Sequence, residues 1–169
     1  EVGSGFVQFI PIVERSAAGG PHGAAGLALP GVSGEGRITP WSVEPGQFGE
    51  FLCAVFDEWV RHDVGRIFVQ LFDVTLENWA LGRSSLCIFG ETCGRAIAVE
   101  HNGDVYPCDH YVFEPFRLGN LTETPLADLV EGERQATFGR AKLERLPAFC
   151  LGCDVRFACH GECPKNRFV

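Results

Sequence analysis

The chain has 169 residues, 46% of them hydrophobic and 21% charged, which is enough apolar material for a buried core in one or two globular units. Its formal net charge of −8 disfavours a nucleic-acid-binding face, because phosphate neutralisation needs clustered Lys and Arg. No apolar run approaches the roughly 20 residues that cross a bilayer, and the N-terminus lacks the pattern of a signal peptide. We therefore expect a cytoplasmic protein whose partner is a protein, a peptide or a small molecule.

The first residues already have the composition of a strand interior. Phe6, Val7, Phe9 and Ile10 precede Pro11, and the chain contains no Met. A sequence that opens inside a structural element is expected to be a fragment of a longer protein.

The first half of the sequence predicts one parallel α/β unit. An apolar run at 5–13 predicts a strand that is covered on both faces, and the Gly- and Pro-rich stretch 16–46 predicts a long loop. A second strand is predicted at 66–73 and a short helix at 76–81, with a right-handed crossover between the strands. The helix between the two strands is predicted from an apolar stripe at spacings of three and four, made of Phe48, Phe51, Leu52, Val55, Phe56, Trp59 and Val60.

The sequence pattern changes between Leu81 and Ser85, so we expect two domains, at 1–83 and 84–169. Alternating residues around Asn102-Gly103 predict a β-hairpin, in which Ala96, Ala98 and Glu100 pair across to Val105 and Tyr106. Helical segments are predicted over 125–142, with Thr124 as the N-cap and Pro125 in the first turn.

The eight cysteines leave several chemistries open. Cys53 lies at the edge of the apolar stripe, and we interpret it as a small core hydrophobe. Disulfides among the other seven suit a secreted protein, which this sequence does not resemble. The four cysteines from Cys150 to Cys163 could form a zinc site without further ligands. Two iron-sulfur cubanes would need eight thiolates, one more than the seven that remain.

The seven cysteines and the segments between them resemble a known family. C-x5-C at Cys87 and Cys93, then Cys108 within YPCDH, then C-x2-C-x5-C-x3-C followed by PKNR, resemble the auxiliary-cluster (SPASM) region of radical S-adenosylmethionine enzymes. The segments CGRAIAVEHNGDVYPCDHYV, FRLGN, QATFGRAK and LPAFC narrow the resemblance to the anaerobic sulfatase-maturating enzymes. The resemblance implies an α/β fold: the last strands and helices of a partial (β/α) barrel, then a cysteine-rich domain with a hairpin and short helices.

The resemblance also implies two auxiliary 4Fe-4S clusters. The first would be bound by Cys87, Cys93, Cys108 and Cys163, and the second by three further cysteines, Cys150, Cys153 and Cys159. The fourth ligand of the second cluster is expected beyond Val169. The family's C-x3-C-x2-C motif for S-adenosylmethionine and a third 4Fe-4S cluster is absent here, and we expect it in a missing N-terminal half.

The implied reaction oxidises a Cys or Ser side chain of an unfolded sulfatase to Cα-formylglycine. A deoxyadenosyl radical abstracts a Cβ hydrogen, and Asp109 would be the base that takes the thiol or hydroxyl proton. Val13 would contact S-adenosylmethionine, and the electron would leave to a partner such as ferredoxin or flavodoxin. The fragment alone is expected to be inactive.

Three further residues follow from the same comparison. We expect His110 to form hydrogen bonds near a cluster or to lie at the surface, rather than to ligate the cluster. Arg167, with Lys165, either offsets cluster charge or lies in a solvated basic turn. Glu162 stands where the family commonly has Gly, and we hypothesise that its carboxylate lowers the reduction potential of the adjacent cluster.

Three alternatives remain open at this point. A different SPASM enzyme that modifies peptides, such as a thioether-forming maturase, would share the cysteine pattern. A zinc-stabilised interaction module would need no chemistry at all. An electron-transfer protein is disfavoured, because a small ferredoxin does not need the α/β unit of the first half.

Overall fold

The computed structural model describes residues 3–16 and 37–167. Its strands are β1 Phe6–Val7, β2 Arg15–Ser16, β3 Arg37–Ile38, β4 Phe68–Val69, β5 Ala98–Val99, β6 Asp104–Tyr106 and β7 Gly119–Asn120. Its α-helices are α1 Pro45–His62, α2 Gln70–Leu81, α3 Leu126–Glu131, α4 Glu133–Glu144, α5 Ala148–Leu151 and α6 Arg156–Cys159.

The first half contains the predicted parallel unit. β1 pairs in parallel with β4, with Phe6 opposite Phe68 and Val7 opposite Val69, and α1 lies between the two strands in sequence. The Trp59 side chain secures α1, because its ring packs on Phe72 and its Nε1 donates to the Ile67 carbonyl at 2.7 Å. The α/β prediction is confirmed, and α1 contains all seven residues of the predicted apolar stripe.

Both predicted strands of this half are shorter than expected. The strand predicted at 5–13 is limited to β1. After Pro11 the backbone forms hydrogen bonds with the segment before α1 rather than with β4. The Ile12 carbonyl accepts from Val43 N–H, and the Glu14 carbonyl accepts from Thr39 N–H. The loop predicted at 16–46 contains β3, which pairs antiparallel with β2, and the remainder of that prediction, 17–36, lies outside the described residues.

The second strand prediction failed for a different reason. The run 66–73 is apolar enough for a strand or a buried helix, and only Phe68–Val69 is extended before α2 begins at Gln70. Val74 and Asn78, four residues apart, form the buried face of α2. The helix predicted at 76–81 is therefore the second half of a longer one.

Cys53 is exposed on α1, so its interpretation as a core hydrophobe was wrong. The apolar stripe of α1 is itself only partly covered in the described residues: Trp59 is buried, whereas Phe51, Phe56 and Val60 are between 42% and 47% exposed. Among the described residues, no helix is both long and apolar enough to cross a membrane.

The hairpin predicted around Asn102-Gly103 is present, with Ala98 opposite Tyr106 and Val99 opposite Val105. Ala96 lies before the paired strand, and Glu100 closes the turn by donating its N–H to Asp104 O at 2.9 Å. β7 adds a third antiparallel strand along β6, which the sequence reasoning missed.

The predicted helical region 125–142 is two helices, α3 and α4, separated by Gly132. Thr124 is not the N-cap: Pro125 occupies that position with an extended backbone, and no side chain caps the helix. Proline suits a position whose N–H would have no helical partner.

The side chain of Asn78 is among those that connect the two halves of the molecule. Asn78 of α2 is 1% exposed, and its Nδ2 donates to the carbonyls of Phe89 at 3.0 Å and Ala158 at 2.8 Å. Phe89 ends the 3₁₀ turn that begins at Cys87, and Ala158 precedes Cys159 in α6. The helical end of the first half therefore abuts two cysteine-bearing segments.

Candidate metal centre

Four cysteines from distant parts of the sequence converge behind the hairpin. The thiol of Cys163 interacts electrostatically with those of Cys87, Cys93 and Cys108, and the thiols of Cys87 and Cys93 interact with each other. We call these four residues the four-thiol group. They are the same four that the family resemblance assigns to one cluster.

Three cysteines of the four-thiol group are fixed by short turns. Cys87 begins the 3₁₀ turn Cys87–Phe89, while Cys108 and Cys163 directly precede two further 3₁₀ turns, Asp109–Tyr111 and Pro164–Asn166. Such a turn presents free N–H groups to the residue before it: the sulfurs of Cys108 and Cys163 accept from the backbone N–H groups of His110 and Lys165.

Burial raises the pKa of three of these thiols. Desolvation is the main cause that raises the pKa of Cys108 to about 12 and that of Cys163 to about 11, and it also raises the pKa of Cys93. Four thiolates, three of them at least partly buried, would repel one another, so this donor set suits a group that brings positive charge of its own. An iron-sulfur cluster bound by four thiolates fits that requirement.

The spacing of the sulfurs bears on the zinc alternative. Within residues 3–16 and 37–167, the group of three potential ligand atoms that lie within 4.8 Å of one another is Cys108, Asp109 and His110, and no such group consists of cysteines. Thiolates on one zinc ion lie about 2.3 Å from the metal and hence close together. The described residues therefore bring no three cysteine sulfurs as close together as a zinc site would hold them.

Asp109 and His110 flank the four-thiol group on its exposed side. The thiol of Cys108 donates to Asp109 Oδ1 at 3.1 Å, and this bond is the main cause that lowers the pKa of Asp109. His110 Nδ1 lies 3.6 Å from the sulfur of Cys163. Asp109 therefore places a carboxylate beside one thiol of the group, and His110 is in hydrogen-bonding contact with another; the roles of both residues remain predictions.

The other three predicted ligands precede Cys163 in the sequence and belong to none of the four segments described above. Cys150 lies in α5, Cys159 ends α6, and Cys153 lies between them with its N–H donated to Cys150 O at 3.3 Å. All three are partly buried. Their assignment to a second cluster remains a prediction.

Val13 is not at a strand end but in the segment between β1 and β2. It lines a cavity of about 520 Å³ whose wall is largely apolar and includes Phe48 of α1, Leu71 of α2 and Ile88 next to Cys87. Glu162 and Asn166 bring polar atoms to the same wall. The proximity of Val13 to a cavity is compatible with its predicted contact with S-adenosylmethionine, which remains a prediction.

Arg167 is part of the structure rather than of a solvated turn. Its guanidinium donates to the carbonyls of Gly161 at 2.8 Å, His160 at 3.1 Å and Glu162 at 3.3 Å. These three residues share the left-handed conformation, with φ between 50° and 74°. A Cβ on Gly161 would lie 2.5 Å from a methyl carbon of Leu146, so glycine is required there.

Glu162 adopts φ 53°, a conformation that favours glycine, and both its carboxylate oxygens accept from Asn166 Nδ2 at 3.1 Å. Its charge is among the causes that raise the pKa of Cys163, after burial. The hypothesis that Glu162 lowers a cluster's reduction potential remains a prediction.

Sequence reasoning missed three residues at this site. Lys142 and Gln135 are buried on α4, and Tyr111 is 4% exposed between the rings of Phe116 and Phe138, at 4.9 Å from each. Polar residues in a helix ordinarily indicate its solvated face, so no local signal marks Lys142 and Gln135 as buried. For Tyr111, its position three residues after Cys108 was an available signal.

Comparisons with known proteins agree with this geometry. Residues 87–154 match the family model of SPASM, an iron-sulfur cluster-binding domain. The chain is 47% identical over 170 residues to the serine-type anaerobic sulfatase-maturating enzyme of Bacteroides thetaiotaomicron, an alignment that covers 99% of this chain and 40% of that protein. It is 33% identical over 129 residues to a cysteine-type enzyme of Clostridium perfringens, covering 75% of this chain and 35% of that protein.

A solved structure is similar as well. Native anSMEcpe with bound AdoMet and Cp18Cys peptide matches with a TM-score of 0.67 and 31% identity, over 80% of this chain and 37% of that one. This chain thus spans about 40% or less of the length of these relatives.

The α/β half and the iron-sulfur cluster-binding domain define a SPASM-containing radical S-adenosylmethionine protein. Within that class, the chain belongs to the family of the anaerobic sulfatase-maturating enzymes.

Proposed function

We propose that this chain is the part of a formylglycine-generating radical enzyme that holds the auxiliary 4Fe-4S clusters and the catalytic base. Its substrate would be a Cys or Ser of an unfolded sulfatase peptide. Two similarities support this proposal: relatives of both the serine and the cysteine type match the chain, and a structural neighbour was solved with a peptide bound. Ferredoxin or flavodoxin remains our expectation for the electron partner.

The observation that carries the proposal is the position of Asp109 beside the four-thiol group. A base for a substrate hydroxyl or thiol must be ionised and reachable. Asp109 is exposed, and its Oδ1 lies 3.1 Å from the sulfur of Cys108. The turn Asp109–Tyr111, locked by buried Tyr111, fixes the carboxylate relative to the thiols.

In the reaction, the residues of this chain would bind, orient and deprotonate. A cluster bound by the four-thiol group would supply the one-electron redox chemistry. Asp109 would accept the proton of the substrate thiol or hydroxyl at a carboxylate oxygen. His110 would donate a hydrogen bond to the sulfur of Cys163 and so keep that ligand oriented. Val13, in the wall of the cavity that Glu162 also lines, would contact S-adenosylmethionine.

The first test is the metal content of the chain. After anaerobic reconstitution with iron and sulfide, we expect iron and acid-labile sulfide in about equal amounts, corresponding to one complete cubane and a further incomplete one. Replacement of all four cysteines of the four-thiol group by Ala should remove the complete cluster. Cys53→Ala is the matched control, because Cys53 is exposed on α1, and it should bind as much iron as the wild type. Zinc without labile sulfide would refute the proposal.

A further inference from the structure

The helix α4 has a row of three buried residues on its inner side. Gln135, Gly139 and Lys142 are separated by four and three positions and therefore share one face. Gln135 is 3% exposed and Lys142 is 1% exposed. An inward helix face is normally apolar, so these polar groups require partners that stabilise them. We call these three residues the α4 stripe.

Lys142 bonds to the segment that contains the first cysteine. Its Nζ donates to the carbonyls of Cys87 at 2.7 Å and Ile88 at 2.9 Å, and also to that of Gly90. An ammonium group has three donors and no acceptor, so three carbonyls satisfy it fully in its charged form. The turn at Cys87 is thereby tied to α4 at three points.

The other two members of the α4 stripe bond to the backbone at or beside the next two cysteines, Cys93 and Cys108. The carbonyl of Gly139 accepts the N–H of Cys93 at 3.2 Å. The Nε2 of Gln135 donates to the carbonyl of Gly94 at 2.7 Å and to that of Pro107 at 3.3 Å, the residues that follow Cys93 and precede Cys108.

The fourth cysteine is connected through Arg167. Its Nη1 donates to the carbonyl of Lys142 at 2.7 Å, while its other donors bond to the carbonyls of residues 160–162, directly before Cys163. All four segments of the four-thiol group are therefore joined, directly or through one guanidinium, to the same helix face.

We propose that the α4 stripe is the positioning scaffold of the four-thiol group, and that the ammonium of Lys142 is the fixed counter-charge of the centre bound there. This inference rests on the proposed function, in which the four-thiol group binds an iron-sulfur cluster. Gln135 and Lys142 are positioning residues, because they act through the backbone of the ligand segments.

Charge gives the scaffold a measurable second effect. Lys142 interacts electrostatically with the thiols of Cys93, Cys163 and Cys87, and Arg167 interacts with that of Cys93. A buried positive charge stabilises the more negative, reduced form of a thiolate-bound centre, and such charges are among the factors that set its reduction potential. Loss of the ammonium should therefore make the potential more negative.

The test compares Lys142→Met with the wild-type chain and with Arg140→Met, all reconstituted anaerobically. Arg140 lies on the same helix, but its side chain is half exposed and pairs with Glu133 on the surface. We expect Lys142→Met either to lose the iron and sulfide of the complete cluster or to retain them with a reduction equilibrium about tenfold less favourable, a shift of about 59 mV for one electron. Arg140→Met should match the wild type in iron content, potential and the low-temperature EPR spectrum of the reduced protein.

Two further variants, Lys142→Arg and Gln135→Met, distinguish a loss of positioning or charge from simple misfolding. Lys142→Arg keeps the charge, so wherever it retains the cluster it should have a potential close to that of the wild type. If circular dichroism shows that Lys142→Met does not fold, Gln135→Met decides: a folded variant with less cluster supports the inference, and one with wild-type loading and spectrum overturns it. Wild-type loading, spectrum and potential in Lys142→Met would overturn it equally. A wild-type chain without iron and sulfide would instead refute the proposed function.

Discussion

At the scale of single residues, charged groups in this chain are held by several partners at once. Asp104 of β6 accepts hydrogen bonds from Asn120 Nδ2 at 2.9 Å, Arg117 Nε at 2.6 Å and Asn102 Nδ2 at 2.7 Å. These bonds, that of Asn120 first, lower the pKa of Asp104. One carboxylate thus joins the hairpin turn, β7 and the segment between them.

The stability that Asp104 provides should depend on pH. Because its folded pKa lies below the unfolded value of 3.8, its contribution is complete above that value and is lost as the pH falls through the folded pKa. For Asp104→Asn, we expect weaker amide protection against hydrogen exchange at Leu118 and Leu121, which donate to β6 and the hairpin turn.

The difference in protection between the wild type and Asp104→Asn should be constant above about pH 4 and should shrink as the pH falls further, through the folded pKa of Asp104. Asp57→Asn, an exposed change on α1, should leave those two amides unaffected at every pH. A difference for Asp104→Asn that is constant with pH would contradict this assignment.

At the scale of elements, the contact between α4 and the Cys93 segment depends on a missing side chain. A Cβ on Gly139 would lie 2.5 Å from the carbonyl oxygen of Cys93, whereas a Cβ on Gly49 of α1 would meet nothing within 4 Å. Both glycines lie inside helices, where Ala is intrinsically favoured by about 1 kcal/mol.

The same substitution should therefore have opposite effects in the two helices. We expect Gly49→Ala to raise the free energy of unfolding by about 0.5–1 kcal/mol, and Gly139→Ala to lower it by about 1–3 kcal/mol, because α4 must move away from the Cys93 carbonyl. Denaturant unfolding of the two variants measures this. Equal stabilisation by both changes would show that α4 does not need its close approach.

Elements with a strong local signal could be predicted from the sequence. The stripe of α1 and the Asn102-Gly103 turn are contained in short windows, and both predictions are confirmed. The start of α2 was missed, because the run after Arg66 suits a strand and a buried helix equally. β7 was missed, because a two-residue strand is defined by its partner β6 rather than by its own residues.

The site was predictable only where chemistry marked the residues. The family resemblance implied the set Cys87, Cys93, Cys108 and Cys163, whose thiols interact electrostatically in the structure, whereas cysteine spacing alone left other sets open. The burial of Lys142 was not predictable, because its carbonyl partners are more than fifty residues away in the sequence. Tertiary contacts, not local pattern, decide which polar residues of a helix lie inside.

At the scale of the whole molecule, the second half should depend on its metal more than the first. The four-thiol group comes from segments that are far apart in sequence, so a cluster bound there, as we propose, would close large loops, and its binding energy would become folding energy. The packing of α1 on Phe72, in contrast, uses aromatic contacts that need no ligand.

Removal of iron by a chelator should therefore loosen the molecule unevenly. We expect amide hydrogen exchange to increase by at least tenfold in residues 87–167 and to change much less in α1, because local opening follows the local contacts that remain. Exchange measured by mass spectrometry before and after chelation checks this. A uniform increase across both halves would indicate that α1 is stabilised through the metal as well.

The distance along the chain between Cys87 and Cys163 also sets an order of events during synthesis. At about 5–20 residues per second, a ribosome makes Cys163 several seconds after Cys87, and Lys142 and Arg167 also follow late. Until then, the thiols of Cys87, Cys93 and Cys108 lack both the thiol of Cys163 and the complete helix α4. Insertion of the proposed cluster would therefore wait for nearly the whole of this sequence to emerge, and a nascent chain that stalls within it would display thiols without a centre to occupy them.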